Sequence, residues 1–177
     1  MDNGIHTLDL ICHLLGGEVT HVSGMVSTDI WKLDRSEDNA FVHLRTKSGA
    51  LGSLHSSWSE WKGYHFYVEA YGDCGMARAY YAPMQATVIT MDKPGGKQRI
   101  KRHYYPGAIL KEKIFGWQST VVQTFVEELE DFVRFVAGDE SGVIATASDG
   151  LRSIAIPNAV YDSSDQNRII PLESYLN

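Results

Sequence analysis

The chain has 177 residues, 44% of them hydrophobic and 21% charged, with a formal net charge of −6. This is the balance of a soluble globular protein long enough to bury a core, and the acidic surplus argues against a nucleic-acid partner, whose phosphates demand a basic patch. Two scattered cysteines imply no disulfide framework and suit a reducing compartment. With no leader-like start and no apolar run fit to span a bilayer, one cytoplasmic domain over residues 1–177, with no membrane association, is expected.

The first helix is predicted over residues 4–15, ending at Gly16-Gly17. Ile5, Leu8, Cys12 and Leu15 share one face, while Asp2, His6, Asp9 and His13 recur at helical spacing on another. A strand follows over 19–26. Residues 27–38 are polar apart from Ile30, Trp31 and Leu33 and read as a loop. The alternation of Ala40, Val42 and Leu44 with Phe41, His43 and Arg45 marks a strand over 39–46. It turns through Lys47-Ser48-Gly49 into a returning strand over 50–58, the clearest hairpin in the chain.

Further strands are expected over 64–71, 76–81, 85–91 and 99–104, with Gly72-Asp73-Cys74-Gly75 and Asp92-Lys93-Pro94-Gly95-Gly96 as turns. The basic run of Lys97, Arg99, Lys101 and Arg102 reads as a solvated strand face or edge. Residues 105–117 read as irregular. A helix over 120–137 carries Val122, Phe125, Leu129, Phe132 and Val136 on one stripe, with Ser119 as N-cap and Gly138 as its end. The last helix is expected over 147–163, opened by a Thr146/Asp149 box and kinked at Pro157. A short strand over 168–172 closes the chain.

This order gives an α+β fold: an open, mainly antiparallel β-sheet with α-helices on one face. The other face is left free for oligomerisation and would carry His55, Tyr67, Tyr71 and Tyr80. A homo-oligomer is therefore expected, a two-fold dimer by default.

Three features carry chemistry. His titrates near neutral pH and a carboxylate orients it, so His6 with Asp2 suits proton transfer; an exposed helix start is the bland alternative. Asp2, His6, Asp9 and His13 could in principle chelate a divalent metal, but no second ligand cluster follows, and a metal site is the minority reading. In the segment from Trp58 to Tyr64, aromatic rings accompany Glu60 and Lys62. Trp61, Lys62 and Tyr64 there suit a sugar or polyol, and a hairpin corner covering the core is an equal alternative. His65 and His103 are isolated and take no role.

Asp2-Asn3-Gly4-Ile5-His6-Thr7-Leu8-Asp9 resembles the Asp-x-Gly-x-His-x-x-Asp segment that opens the C-terminal domain of the Gfo/Idh/MocA oxidoreductases. The resemblance continues in order through Asp38-Asn39-Ala40-Phe41-Val42, the run from Gly49 to Trp58, Val68-Glu69-Ala70-Tyr71-Gly72, the run from Phe132 to Gly138, and Asp149-Gly150-Leu151-Arg152-Ser153-Ile154. It implies that His6 relays the proton of the substrate hydroxyl and that Asp2 tunes it. Asn3, inside the same segment, joins Trp61, Lys62 and Tyr64 as a substrate-binding candidate.

The family's dinucleotide-binding domain, with its Gly-x-Gly-x-x-Gly turn, has no counterpart in these residues. Nor does its upstream Glu-Lys-Pro; Asp92-Lys93-Pro94 mimics that tripeptide but reads as a hairpin turn. The resemblance thus implies the C-terminal substrate-binding and oligomerisation domain of an NAD- or NADP-dependent sugar or polyol dehydrogenase. No cofactor is expected on this chain alone. A stand-alone, non-catalytic binding or assembly module is the rival.

Overall fold

The structure is a computed structural model that describes residues 2–32, 34, 36–61, 63–81, 84–139, 141–142 and 144–176, without the side chains of Asp2 and Asn3. In chain order the elements are α1 (Asp2–Leu15), β1 (Val19–Ser27), β2 (Asn39–Thr46), β3 (Leu51–Ser57), β4 (Tyr67–Gly72), β5 (Gly75–Tyr80), β6 (Gln85–Met91), β7 (Gln98–Tyr104), α2 (Pro106–Phe115), α3 (Gln118–Val136), α4 (Ala147–Gln166) and β8 (Ile170–Pro171). A 3₁₀ turn over Leu172–Tyr175 follows. The α+β character and the open, antiparallel pairing agree with the sequence. The strands, however, divide between two four-stranded sheets, in the orders β3-β2-β1-β8 and β4-β5-β6-β7. The chain forms two compact units, Met1–Trp61 with Ala145–Asn177, and Lys62–Ile144.

In the first unit, α1 and α4 cover one face of the sheet. The alternation in β2 does what its pattern predicts: Ala40, Val42 and Leu44 are buried and Phe41, His43 and Arg45 are exposed. Val22, Val42 and Leu44 from the sheet meet Leu8 of α1 and Ile156 and Val160 of α4 in the core. Each such side chain contributes roughly 1.5–3 kcal/mol through burial. Small residues let the layers approach: a Cβ on Gly24 would lie 2.7 Å from Val160 Cγ1, and one on Gly52 2.8 Å from Ile11 Cγ2.

β8 pairs with β1 only at His21 and Val22. Farther along β1, the amides of Gly24 and Val26 donate to Ser163 Oγ (3.0 Å) and Ser164 Oγ (3.1 Å) of α4. Two serines thus satisfy backbone groups that burial would otherwise penalise. The Thr146/Asp149 capping box opens α4 as expected, and the helix continues past Pro157 to an Asn167 cap at φ 49°.

In the second unit, β4 to β7 form a meander. The Asp92–Gly96 segment is the expected β6–β7 turn, with Gly95 at φ 76° and Gly96 N donating to Lys93 O. The basic β7 is an edge strand and every residue of it is exposed. Two expectations need correction. The segment read as irregular contains α2, because Pro106 occupies its first turn, where its missing N–H is no loss. Helix α3 begins at Gln118, so Ser119 lies inside it rather than capping it; its hydroxyl donates to Gly116 O at 2.8 Å.

Candidate functional site

Leu8 and Cys12 bury one face of α1, and His6, Asp9 and His13 stand exposed on another. Burial raises the Cys12 thiol pKa, with Arg152 opposing the shift. The polar row is not uniform. Asp9 Oδ1 accepts from Ser153 Oγ of α4 at 3.2 Å. His13 lies close enough to Asp149 to help lower its pKa, behind the larger effects of the Thr146 hydroxyl and amide. Asp9 and His13 therefore face the start of α4, which suits a structural part for them, while His6 stays outside that network. The side chains of Asp2 and Asn3 lie outside the described residues. Among the described residues no three His, Cys, Asp or Glu side chains gather as a metal would require.

A second constellation sits at the end of the first unit's sheet where β1 stops, β2 starts and β3 stops. Asp38, 2% exposed, directs its carboxylate back into the loop before it. It accepts from the amides of Asp29 (3.0 Å), Ile30 (2.6 Å) and Trp31 (3.0 Å) and from Asn39 Nδ2 (2.9 Å). These bonds, that of Asp29 foremost, hold the carboxyl at a pKa of about 2. The Asp38 amide donates to Ser27 O and the Thr28 hydroxyl to Ser36 O, closing the loop.

The loop presents Trp31. Its indole Nε1–H donates to Trp58 O at 3.0 Å, and Trp58 N donates back to Asp38 O at 2.8 Å. Lys32, directly after, adopts φ 46°, a left-handed conformation that a non-glycine residue takes only when its surroundings impose it. Ser57, Ser59 and Asn39 link side chain to side chain alongside, at 2.7 and 3.2 Å. Trp61 ends the unit at 85% exposed.

In the second unit, Tyr64 is exposed and meets Tyr81 edge-on at 5.5 Å, and the Tyr81 hydroxyl donates to Glu112 Oε1 at 3.2 Å. Burial and the nearby Glu112 raise the Tyr81 pKa. Lys62 lies outside the described residues. Trp31 and Asp38 are site residues that the sequence did not single out; a tryptophan beside Ile30 in a largely polar loop was the available signal.

Every strand pairing among the described residues is antiparallel, so they contain no βαβ unit of the kind that holds a dinucleotide.

Residues 1–78 match the family model of the GFO/IDH/MocA C-terminal domain. Over 180 aligned residues the chain is 28% identical to the myo-inositol 2-dehydrogenase of Thermotoga maritima, covering 99% of this chain and 49% of that protein. It is 24% identical to inositol 2-dehydrogenase 2 of Paenarthrobacter aurescens, covering 92% of this chain and 44% of that protein. The chain thus spans about half the length of the curated relatives it matches. A crystal structure of a probable dehydrogenase from Thermotoga maritima superposes with a TM-score of 0.68 at 25% identity, over 97% of this chain and 48% of that one. A levoglucosan dehydrogenase in complex with NADH superposes with a TM-score of 0.73 at 20% identity, over 95% and 48%. Residues 1–78 thus match the C-terminal domain of the Gfo/Idh/MocA oxidoreductases, and nearly the whole chain is similar to about half of each of two inositol 2-dehydrogenases.

Proposed function

We propose that this chain is the substrate-holding and subunit-joining domain, over residues 1–177, of an NAD- or NADP-dependent sugar or polyol dehydrogenase. The observation that carries the reading is His6. It stands exposed on a helix whose other face is anchored by Leu8 and Cys12, within the residues that match the family. In the joined protein a nicotinamide, held by a domain other than this one, would supply the hydride acceptor. This chain's part is the proton. His6 takes it from the substrate hydroxyl as the carbonyl forms, and Asp2 orients the imidazole. Asn3, Trp61, Lys62 and Tyr64 hold the remaining hydroxyls and the apolar side of the substrate. The setting is the cytoplasm, which the two free thiols suit.

The test joins the chain to a dinucleotide-binding domain and follows NADH formation from myo-inositol across pH. His6→Ala is expected to lower turnover roughly 10²- to 10⁴-fold while changing KM much less, since proton relay acts mainly in the transition state. Asp2→Asn should displace the pH profile. Near-normal turnover of His6→Ala at every pH would remove His6 from the mechanism. A non-catalytic assembly module is the second reading. It is favoured by the tyrosine-bearing face of the β4–β7 sheet, where Tyr67 and Tyr80 pair across strands with ring centroids 5.7 Å apart. Self-association without turnover in the joined protein would select it.

A further inference from the structure

The Trp31 loop has more construction than a connection needs. A buried carboxylate, three backbone amides and a left-handed Lys32 hold it in one conformation, and the side chain so positioned is an indole 56% exposed. Trp58, bound to it through Nε1–H and 55% exposed, is held in turn by Asp38 O. Leaving two large apolar rings in water forgoes burial free energy, and fixing the Trp31 ring forgoes its conformational freedom as well. Both costs are recovered only when something covers the rings.

The chemistry of the corner restricts the occupant. The Trp31 N–H is spent on Trp58 O, so what the ring offers is its π-face. At the same end of the sheet the Ser57, Ser59 and Asn39 side chains bond to one another. An exposed indole face fits a ring with C–H bonds on its faces and hydroxyls around its edge.

The geometry points to Trp31 and Trp58 as a stacking platform for the ring of a cyclic sugar or polyol, with Asp38 as the residue that positions it. This rests on the reading of the chain as a sugar- or polyol-holding domain. It adds to it a specificity: the platform favours closed rings over open-chain polyols, which have no flat C–H face to stack.

The experiment uses the 177-residue chain with myo-inositol and D-glucose as ring probes and D-mannitol as the open-chain control. Ligand-observed NMR and tryptophan fluorescence report binding. Ring probes are expected to bind in the millimolar range, and mannitol about tenfold more weakly. Trp31→Ala should weaken ring binding about tenfold without lowering the melting temperature, and Trp31→Tyr should restore most of it, because a phenol also stacks. Asp38→Asn should weaken ring binding in step with a changed fluorescence of Trp31. If the wild type binds rings and both Trp31 variants bind equally well, the platform is overturned while the sugar-holding reading stands. If Trp31→Tyr loses as much as Trp31→Ala, stacking is overturned. If the wild type binds no probe, the reading beneath the inference fails as well.

Discussion

Asp38 is the residue on which the first unit's loop geometry depends, and its protonation state sets a pH limit. Its carboxyl titrates at about 2 in the folded chain, because the amides of Asp29, Trp31 and Ile30 and the Asn39 side chain favour the charged form. An unfolded aspartate titrates near 3.9. The folded form therefore gains stability from this group at every pH above about 4, and loses it as pH falls from about 4 to about 2. Acid titration followed by tryptophan fluorescence should show the Trp31–Trp58 corner changing in that window. Asp38→Asn should abolish that fluorescence step, having no carboxylate to protonate. An unchanged acid profile in the variant would assign the transition to other groups. Three of these donors to Asp38 are backbone N–H groups, which any residue type but proline supplies, so nothing in the identities of Asp29, Ile30 and Trp31 announces the arrangement.

At the scale of elements, the packing of α4 on β1 hangs on Gly24. A methyl group there would meet Val160 Cγ1 at 2.7 Å and Phe41 O at 2.9 Å, and the second contact is backbone that cannot rotate away. Gly24→Ala is expected to destabilise the chain by about 1–3 kcal/mol, read by thermal or urea unfolding. No loss of stability would mean that β1 and α4 sit farther apart. Local signals of this kind were legible where residue type dictates the contact. Leu8 and Cys12 fall on the buried side of α1 as their spacing requires, and Thr146 with Asp149 caps α4. The signals failed where a stronger pattern masked a weaker one. The aromatic and glycine content around Pro106 hid α2, and Ser119 drew the start of α3 past Gln118. The polar row on α1 looked continuous, yet Asp9 is bound to Ser153, a partner far along the chain that no local spacing could reveal.

For the whole molecule, the partition of strands into two sheets is a long-range matter. Each hairpin is legible, but which hairpin lies beside which depends on pairings such as Val22 with Ile170, between opposite ends of the chain. Of the residues expected on one aromatic face, Tyr67, Tyr71 and Tyr80 share a face of the β4–β7 sheet, whereas His55 lies on β3 of the other sheet, stacked on Phe41 with ring centroids 4.1 Å apart. On the tyrosine face the Tyr71 hydroxyl donates to Glu69 Oε2 at 2.8 Å, and Arg78 pairs with Glu69 and donates to the Tyr80 hydroxyl. Tyrosine and arginine around an ion pair make a composition typical of interface cores. If two copies associate through this face, Tyr71→Glu should weaken the dimer about tenfold or more, by losing ring contact and setting a second carboxylate beside Glu69. Sedimentation velocity over a concentration series reads this directly; a wild-type chain that stays monomeric throughout would exclude the face as a contact between copies.

The interleaving of the first unit, whose sheet is completed by β8 and covered by α4, has a consequence for how the chain is made. A ribosome releases α1 and β1 to β3 before the whole of the second unit, and the helix that carries Ile156 and Val160 only after it. Until then Val22, Val42 and Leu44 lack those partners, so the first unit, though begun before the second, completes its core after it. Translation thus supplies all of the second unit before the first can close, and premature termination between β3 and α4 would release an apolar sheet without its second covering helix.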